Sequence, residues 1–527
     1  MRSRFAMLLA IAVVCVTTAW ATWTSESLVT GSPNMARELA QWNCAHKVVF
    51  GTDGVGHLVW SGGPYPPTYH GVWYNRYNPG SGGQPGYWMA DLDIAPLGKR
   101  EPQAYRQDPC IALGGDGKTS HVVWIWWTHQ AGVYSYKLCY RRCTQDRRGN
   151  DKWDAIGYLD AAEHIGYAVV ACVPGEPNHV VVCWEADSVL RFREYVNGAW
   201  TQVVELGSIS NSFSLSAVSI AAAPNGDVFV AHPGYDVGTS RSQIFVKTRH
   251  NGVWGEPVNV TKDFPTLWCI KSTIEASPVT DNPHVVFAGW TEVPNGAGLD
   301  TVAAVYHTFR NASGAWLATP ELVSEQRRLP GPAIWPAGYL WNATMAFAGN
   351  GAAHVVWWDS LGPTSRGVMY RRCLSEGGTW STPELLTSAG PGEYDQCVAV
   401  QEPAHAVHVV WERRFESYAQ IWWKSDYSGG GGGQAQPVAL SQSGIELFPN
   451  PAKAGRVTVQ YALPHAEPLR VTLLDVSGRA VWSSEFDVRS SGEGSVSIDV
   501  RGLSAGVYVV RLAAGGLNVS RTLVVER

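Results

Sequence analysis

Three carboxylates have the residue type and the position for acid–base chemistry. Glu185, Asp359 and Glu412 each come just after a valine-rich segment that ends in Trp. Two carboxyl groups about 5 to 9.5 Å apart can hydrolyse a glycosidic bond, one as the general acid and the other as nucleophile or base. Solvated rim charges would show the same pattern. The spacing therefore leaves a glycoside hydrolase or a polysaccharide lyase open as one possible function.

A second set of side chains is suited to binding. Flat aromatic rings pack against sugar rings, and His or Arg donate hydrogen bonds to hydroxyl or acid groups. The candidate ligand-binding residues follow the same kind of valine-rich segment: Trp126, Trp127, His129, Tyr235, Arg413 and Arg414. No P-loop, H-E-x-x-H, EF-hand loop or C-x-x-C pair occurs in the sequence. We therefore expect no cofactor and no bound metal.

The elements that position these residues come from a pattern that repeats seven times, at intervals of about 50 to 70 residues. The repeated segments are His57–Trp60, His121–Trp124, His179–Val182, Asp227–Val230, His284–Phe287, His354–Trp357 and His408–Trp411. A strand-like segment precedes each of them, an aromatic and basic segment follows, and several repeats then have a Gly turn and a Trp-led segment. Asn-Gly between such segments predicts a hairpin, because both turn residues need positive φ. Four antiparallel strands in seven units predict a seven-bladed β-propeller.

The N-terminal segment is expected to complete the ring. Trp23–Thr30 is similar to Trp254–Thr261 and Trp380–Thr387, and the seventh repeat lacks a Trp-led strand of its own. Residues 23–30 are therefore predicted to close the last blade and to leave no long open edge. The repeated His is expected to be structural, for example through a hydrogen bond to the adjoining turn, and the repeated Trp residues are expected in the core.

Composition favours an exported all-β protein. The 527 residues are 45% hydrophobic and 16% charged, which excludes a disordered chain or a coiled coil. Residues 1–21 have a basic start, an apolar run and an Ala-Trp-Ala site, which predict a secretory signal peptide. A net charge of −5 gives no reason to expect a nucleic-acid partner. Cys172 and Cys183 flank a predicted turn, so a cross-strand disulfide between them is conceivable.

The composition changes towards the C-terminus. The propeller repeats occupy residues 22–428, and residues 429–440 are a Gly-rich linker. Residues 441–527 alternate strand-like segments and contain a single Trp. This last part is predicted to be a small Ig-like β-sandwich.

Three motifs of the C-terminal part, at Phe448–Ala452, Leu474–Arg479 and Leu503–Tyr508, resemble the type A C-terminal sorting domain of the type IX secretion system. The residues that carry the resemblance are Pro449, Asn450, Pro451, Gly478, Arg479, Gly506 and Tyr508. The resemblance implies that the outer-membrane secretion machinery is a partner of this domain. It also implies export through the periplasm to a secreted or cell-surface location.

The propeller repeats resemble single blades of sialidase-like and other BNR-type propellers. In a working sialidase this resemblance would imply an arginine triad, a Tyr–Glu pair and an acidic Asp. The S-x-D-x-G-x-T-W box of those propellers is missing, because the Gly stands two places before the Trp and no Asp accompanies it. This holds in four repeats, at Gly198, Gly252, Gly314 and Gly378. Sialidase activity is therefore not expected.

The sequence thus predicts a monomeric, secreted or cell-surface propeller that binds an extracellular glycan or protein. Two alternatives stay open. One is a glycoside hydrolase or lyase that acts at the mouth of the propeller channel, and the other is a structural surface or adhesion component. An acidic, aromatic-lined funnel would favour the enzyme, and a plugged channel with smooth faces would favour the structural component.

Overall fold

Every regular element in the described part of the chain is a β-strand. The computed structural model describes residues 23–30, 35–38, 46–64, 71–79, 86–96, 104–130, 132–145, 150–209, 218–264, 268–296, 298–329, 340–360, 366–387, 392–415, 419–426, 445–448, 452–453, 456–463, 468–487, 492–514 and 517–526. None of these residues belongs to a helix that could cross a membrane. The predicted signal peptide and linker lie outside the described residues.

Seven antiparallel sheets follow one another along the chain, and we call them blades 1 to 7 in that order. Blade 1 contains Met35–Glu38, Val48–Phe50, Gly56–Pro64, Gly71–Asn78, Tyr87–Trp88 and Leu92–Asp93. Blade 2 contains Ala104–Leu113, Ser120–Gln130, Val133–Gln145, Asp151–Trp153 and Gly157–Ala162. Blade 3 contains Ile165–Cys172, Val180–Ala186, Val189–Val196, Ala199–Trp200 and Val204–Ser208. Blade 4 contains Ser219–Ala222, Val228–Asp236, Arg241–His250, Val253–Trp254 and Val258–Asn259.

The remaining blades have the same strand order. Blade 5 contains Trp268–Ala276, Pro283–Pro294, Leu299–Phe309, Glu321–Leu322 and Arg327–Leu329. Blade 6 contains Leu340–Phe347, Ala353–Ser360, Arg366–Cys373 and Glu384–Leu385. Blade 7 contains Glu393–Gln401, Ala406–Arg414, Ala419–Asp426 and, from the start of the chain, Ser27–Leu28.

The innermost strands of neighbouring blades contact each other in a closed cycle. Val48–Phe50 of blade 1 contacts Ala104–Leu113 of blade 2 on one side and Glu393–Gln401 of blade 7 on the other. The hydrophobic core is divided into clusters that join neighbouring blades, and one of them joins blades 1 and 7. The predicted all-β, seven-bladed β-propeller is confirmed.

The repeated valine-rich pattern is explained by burial on two faces. All seven residues of Val180–Ala186 are buried, as are the first seven of Ala353–Ser360. A strand that is covered on both faces by neighbouring blades needs apolar side chains at consecutive positions, so the polar–apolar alternation of a half-exposed strand is absent.

The N-terminal segment supplies the outer strand of blade 7. Ser27 and Leu28 pair with Trp423 and Trp422, in antiparallel register. Val29 is only 4% exposed and belongs to the cluster that joins blades 1 and 7. The two ends of the propeller chain therefore share one sheet, and the N-terminal segment gives that blade its fourth strand.

A repeated aromatic contact joins the blades near their outer edge. In each case a ring on the third strand of one blade meets, edge to face, the Trp of the next blade's outer strand. The centroids lie 4.9–5.3 Å apart and the planes meet at 78–82° in Tyr74–Trp153, Tyr140–Trp200, Phe192–Trp254, His307–Trp380 and Tyr370–Trp23. Such pairs add about 0.5–1.5 kcal/mol to the burial of the rings. The repeated Trp residues therefore stabilise the contacts between blades.

The repeated His makes structural contacts, and its partner differs between blades. In three blades the imidazole Nδ1 lies 2.8 Å from a Tyr hydroxyl on the third strand, in the pairs His57–Tyr74, His121–Tyr140 and His354–Tyr370. Each of these three tyrosines also makes one of the contacts between blades, so the histidine orients the ring that holds the next blade. In blade 3 the expected bond to the adjoining turn is present, because His179 Nδ1 lies 3.0 Å from Glu176 Oε2.

The conceivable disulfide between Cys172 and Cys183 is wrong. Strand register places Cys172 opposite Val180 and Cys183 opposite Val169, so the two side chains are not cross-strand neighbours. All eight cysteines in the described residues are free, and seven of them are buried.

The C-terminal residues form two sheets around a core of their own. One sheet contains Ile445–Phe448, Arg456–Leu463 and Gly492–Asp499, and the other contains Ala452–Lys453, Pro468–Leu474, Ala480–Asp487, Gly506–Ala514 and Leu517–Glu526. The shared core includes Val457 and Ile498 from the first sheet and Val471 and Leu512 from the second. This arrangement is a small β-sandwich.

Two of the sorting-motif positions have clear local roles in this sandwich. Gly478 has a φ of +81°, which the turn from Asp475 to Arg479 requires and which glycine adopts without strain. The Tyr508 hydroxyl donates a hydrogen bond to the Ser504 carbonyl at 2.9 Å, which fixes the start of its strand. Arg479 bonds to Asp475 across the turn, whereas Pro449, Asn450 and Pro451 lie outside the described residues.

Candidate functional site

Blade 2 differs from its neighbours by a long hairpin. Its second and third strands have 11 and 13 residues, whereas those of blade 3 have 7 and 8. The two strands of blade 2 pair along their whole length, up to Gln130 and Val133. The additional length raises the end of this hairpin above the loops of blade 3.

One face of this hairpin carries a group of aromatic rings that we call the aromatic ledge: Tyr105, Trp127, His129, Tyr134 and Tyr136. Trp127 stacks on Tyr105 at 4.2 Å, and His129 stacks on Tyr134 at 4.3 Å. Tyr136 lies 6.1 Å from Trp127 and continues the row. Trp127 Nε1 donates to Gln107 Oε1 at 3.0 Å, which fixes the indole.

The ledge is open to solvent at the end of the hairpin. Tyr134 is 51% exposed, and His129 is also exposed. Towards blade 3, the row ends at His164, whose ring centroid lies 5.1 Å from that of Tyr136. Half-exposed rings that are held by their neighbours lose little conformational entropy when a ligand packs against them.

Trp126 lies on the other face of the same hairpin. Its ring contacts Tyr158 at 5.8 Å, and the Lys137 ammonium lies 4.4 Å from the Trp126 centroid. Successive strand residues point to opposite faces, so Trp126 and Trp127 cannot contribute to one surface. Of the three candidate residues on this hairpin, the structure brings together Trp127 and His129.

Sequence reasoning missed Tyr105, Tyr134, Tyr136 and His164. The available signal was the alternation in Val133-Tyr134-Ser135-Tyr136, which places two Tyr side chains on one face of a strand. Because Tyr134 lies opposite His129 and Tyr136 opposite Trp127, the hairpin register would have completed the group.

Two of the three candidate carboxylates form ion pairs with arginine. Asp359, 2% exposed, accepts from Arg327 Nε and Nη2 at 3.3 and 3.2 Å, and this pair joins blades 5 and 6. Burial raises the pKa of the Asp359 carboxyl, and the Arg327 guanidinium opposes that rise. Glu412, fully buried, bonds to Arg414 Nε.

The three carboxylates lie on three different blades. Glu185, Asp359 and Glu412 belong to blades 3, 6 and 7. Asp359 and Glu412 also stand at different positions along their strands. Glu412, opposite Tyr394, corresponds to Trp358, opposite Trp341, and Asp359 comes one residue later. Two of them neutralise arginines that hold neighbouring strands, so their first role is structural.

The remaining candidates lie away from the ledge. Arg413 bonds to Glu26 of the N-terminal segment at 2.7 Å and lies over the Trp422 ring. Arg414 Nη2 donates to Asp395 Oδ2 at 3.0 Å. Tyr235 lies on blade 4 and is half-buried.

Charged side chains contact each other across the ring of the propeller. His46 Nε2 lies 2.5 Å from Glu275 Oε1, which joins blade 1 to blade 5 across the ring. Lys47, beside it, is buried and bonds to the Pro109 carbonyl. Burial lowers the pKa of the Lys47 ammonium, while Cys110 and Asp108 act in the opposite direction.

One cavity, of about 190 Å³, lies between the inner strands of blades 1 to 5. Ligand pockets usually measure about 300–1,000 Å³. This cavity is therefore smaller than a usual ligand pocket. No group of three or more His, Cys, Asp or Glu side chains in the described residues is arranged to hold a metal ion.

Comparison with known proteins identifies the C-terminal domain. Residues 446–526 match the family described as the secretion system C-terminal sorting domain, which confirms the resemblance seen in the motifs. The domain implies interaction with the secretion machinery and export to the cell surface or to the medium. No curated protein matches the chain.

Several solved structures are similar to this chain at low identity. A protein of unknown function from Dyadobacter fermentans is 10% identical over 77% of this chain and 98% of its own, with a TM-score of 0.44. A Trypanosoma rangeli sialidase is 8% identical over 95% and 89%, with a TM-score of 0.39. An Aleuria aurantia lectin is 11% identical over 67% and 97%, with a TM-score of 0.35.

Proposed function

We propose that this exported protein binds an extracellular glycan through the aromatic ledge of blade 2. The observation that carries the proposal is the row of stacked rings that ends in the half-exposed Tyr134. Aromatic rings offer an apolar face to the C–H groups of a sugar, and the Tyr hydroxyl and His nitrogens offer hydrogen bonds to its hydroxyls. A rigid group of this kind at the end of a hairpin is suited to a saccharide chain that approaches from solvent.

The geometry favours binding over hydrolysis. A glycosidase needs two carboxyl groups on either side of one bond. Asp359 and Glu412 are instead bonded to Arg327 and Arg414, on different blades.

We further propose the route and the domain division. Residues 1–21 would direct the chain to the periplasm, and residues 441–527 would then be recognised by the outer-membrane machinery. Residues 22–428 would form the cargo, joined to the sorting domain by residues 429–440. Peptide mapping of the protein recovered from the medium and from the cell surface would show whether residues 1–21 have been removed.

The test uses the full exported chain on a panel of immobilised neutral and acidic polysaccharides. We expect retention on at least one of them, and a Tyr134→Ala variant should bind at least 10-fold more weakly. Tyr158→Ala is the matched control, because Tyr158 is 54% exposed and lies on the opposite face. Retention that survives Tyr134→Ala, or no retention on any glycan, would contradict the proposal. Release of shorter saccharides would instead support the hydrolase or lyase.

A further inference from the structure

Blades 3 and 7 place a glutamate at equivalent positions. Glu185 lies opposite Gly166 and Glu412 lies opposite Tyr394, and in both blades a bulge in the inner strand follows that position. In blade 7 the Tyr394 ring occupies the space next to the glutamate, between the guanidiniums of Arg366 and Arg414 at 4.7 and 4.6 Å. In blade 3 the same position has no side chain.

The backbone does not require glycine at this position. Gly166 has a φ outside the left-handed region that favours glycine. A Cβ added there would meet His164 Cε1 at 3.4 Å and Glu185 Oε2 at 3.5 Å, both ordinary contacts. Without a side chain at Gly166, a space about the size of a methyl group separates the His164 imidazole from the Glu185 carboxylate, and Glu185 is 8% exposed. We call this space the Gly166 notch, formed by His164, Gly166 and Glu185.

The notch continues the aromatic ledge. His164 stands between them, because its ring is 5.1 Å from Tyr136 and its Cε1 faces the position of the missing Cβ. The backbone at His164 is held by Asp187, whose Oδ1 accepts the His164 N–H at 2.9 Å. A ligand that lies along the ledge would therefore reach the Glu185 carboxylate at its end.

The charges around the notch select against an acidic ligand. Glu185 and Asp187 are carboxylates, and Glu163 precedes His164 in the chain. Arg191, one strand away, is bonded to Asp160 at 2.9 Å. A carboxylate accepts hydrogen bonds from sugar hydroxyls, whereas a uronate or a sialic acid would add a like charge next to it.

We propose that the Gly166 notch is the polar end of the glycan site and selects a neutral sugar unit, whose hydroxyls donate to Glu185. The inference rests on the proposed function of the ledge. Tyr134 and Trp127 make apolar contacts with the saccharide. Glu185 orients the sugar unit through hydrogen bonds from its hydroxyls, and its negative charge disfavours acidic units.

The experiment fills the notch with the side chain that blade 7 has at this position. Gly166→Tyr and Glu185→Gln are compared with Gly157→Tyr, a glycine on the outer strand of blade 2 where an added Cβ has no neighbour closer than 3.8 Å. Affinity for the retained polysaccharide is measured on the full chain by calorimetry, and melting curves show that each variant is folded. We expect Gly166→Tyr to abolish binding and Glu185→Gln to weaken it by about 10- to 100-fold, as for a lost hydrogen bond to a charged group. Gly157→Tyr should bind like the natural chain.

The outcomes separate this inference from the proposed function. If binding depends on Tyr134 but folded Gly166→Tyr and Glu185→Gln variants bind normally, the notch is not part of the site and only this inference is wrong. The same holds if an acidic polysaccharide binds more tightly than every neutral one. If no polysaccharide is retained, or if Tyr134→Ala has no effect, the proposed function is wrong and this inference is wrong with it.

Discussion

Acid is expected to destabilise the propeller through the three histidines that bond to tyrosine. Burial lowers the pKa of His57 to about 3, of His121 to about 4 and of His354 to about 3, and a nearby arginine acts in the same direction in each case. The Nε2 atoms of His57 and His121 have no hydrogen-bond partner among the described residues. A proton added there would place an unpaired charge in the core.

The sign and the size of the effect follow from linkage. An imidazole in the unfolded chain has a pKa of about 6.5. Below that pH the unfolded state therefore binds protons, whereas these histidines stay unprotonated in the folded state. The free energy of unfolding is therefore highest above about pH 6.5, and it falls as the pH decreases towards the pKa values that the histidines have in the folded state. Each histidine approaches a slope of about 1.4 kcal/mol per pH unit below the unfolded pKa, so the three together cost about 5 kcal/mol between pH 6.5 and 5.

The assay is urea unfolding followed by tryptophan fluorescence between pH 5 and 8. His354→Asn should unfold more easily at pH 7 but should reduce the slope by about 1.4 kcal/mol per pH unit, since one titrating group is removed. His179→Asn is the control, because the hydrogen bond to Glu194 raises the pKa of His179 and its contribution is lost as the pH rises. A stability that is the same at pH 5 and 7, or a His354→Asn variant with an unchanged slope, would refute the reasoning.

Two further predictions concern the closure of the ring and the thiols. Trp23→Ala removes an edge-to-face contact with Tyr370 and a 3.2 Å hydrogen bond to Glu384, about 1–3 kcal/mol together. It should lower the melting temperature more than Trp200→Ala, whose contact with Tyr140 has the same 4.9 Å and 82°, because Trp23 belongs to the segment that joins the two ends of the ring, whereas the Trp200 strand pairs with the strand directly before it in the chain. Equal losses would mean that closure adds nothing. Thiol labelling of the native protein without reductant, read by peptide mass spectrometry, should modify Cys172 before the seven buried cysteines, and urea should make all eight reactive. A described cysteine that stays unreactive in urea would contradict the free-thiol assignment.

The sequence predicts the parts of the molecule that repeat, and the reason is physical. A strand buried between two blades must be apolar at every position, so His354–Trp357 and its six counterparts can be recognised without knowing their neighbours. What is not repeated depends on contacts between distant segments. The Asp359–Arg327 pair joins two blades, and nothing in the residues around Asp359 indicates that an arginine lies beside it. For that reason a buried ion pair has the same sequence pattern as a catalytic carboxylate.

Some side-chain orientations could have been predicted from the sequence. Strand alternation alone separates Trp126 from Trp127, and hairpin register then brings His129 next to Tyr134. The tyrosine partner of the repeated histidine was equally accessible, since His57 and Tyr74 stand on adjacent antiparallel strands. The length of the blade 2 hairpin was not accessible, because the residues that connect two strands show the same local pattern in a long hairpin and in a short one.

In a ring of similar blades, the departures from the repeat are the best indicators of function. The repeated His, Tyr and Trp side chains are accounted for by contacts between blades, so they leave no surface for a ligand. Blade 2 has a longer hairpin than blade 3, a length that blade 5 shares, and blade 3 has Gly166 where blade 7 has Tyr394. What blade 5 does not share is the row of aromatic rings, and in blade 2 that row ends at His164, next to Gly166. A ligand that spans the ledge and the notch, as proposed, would contact both features.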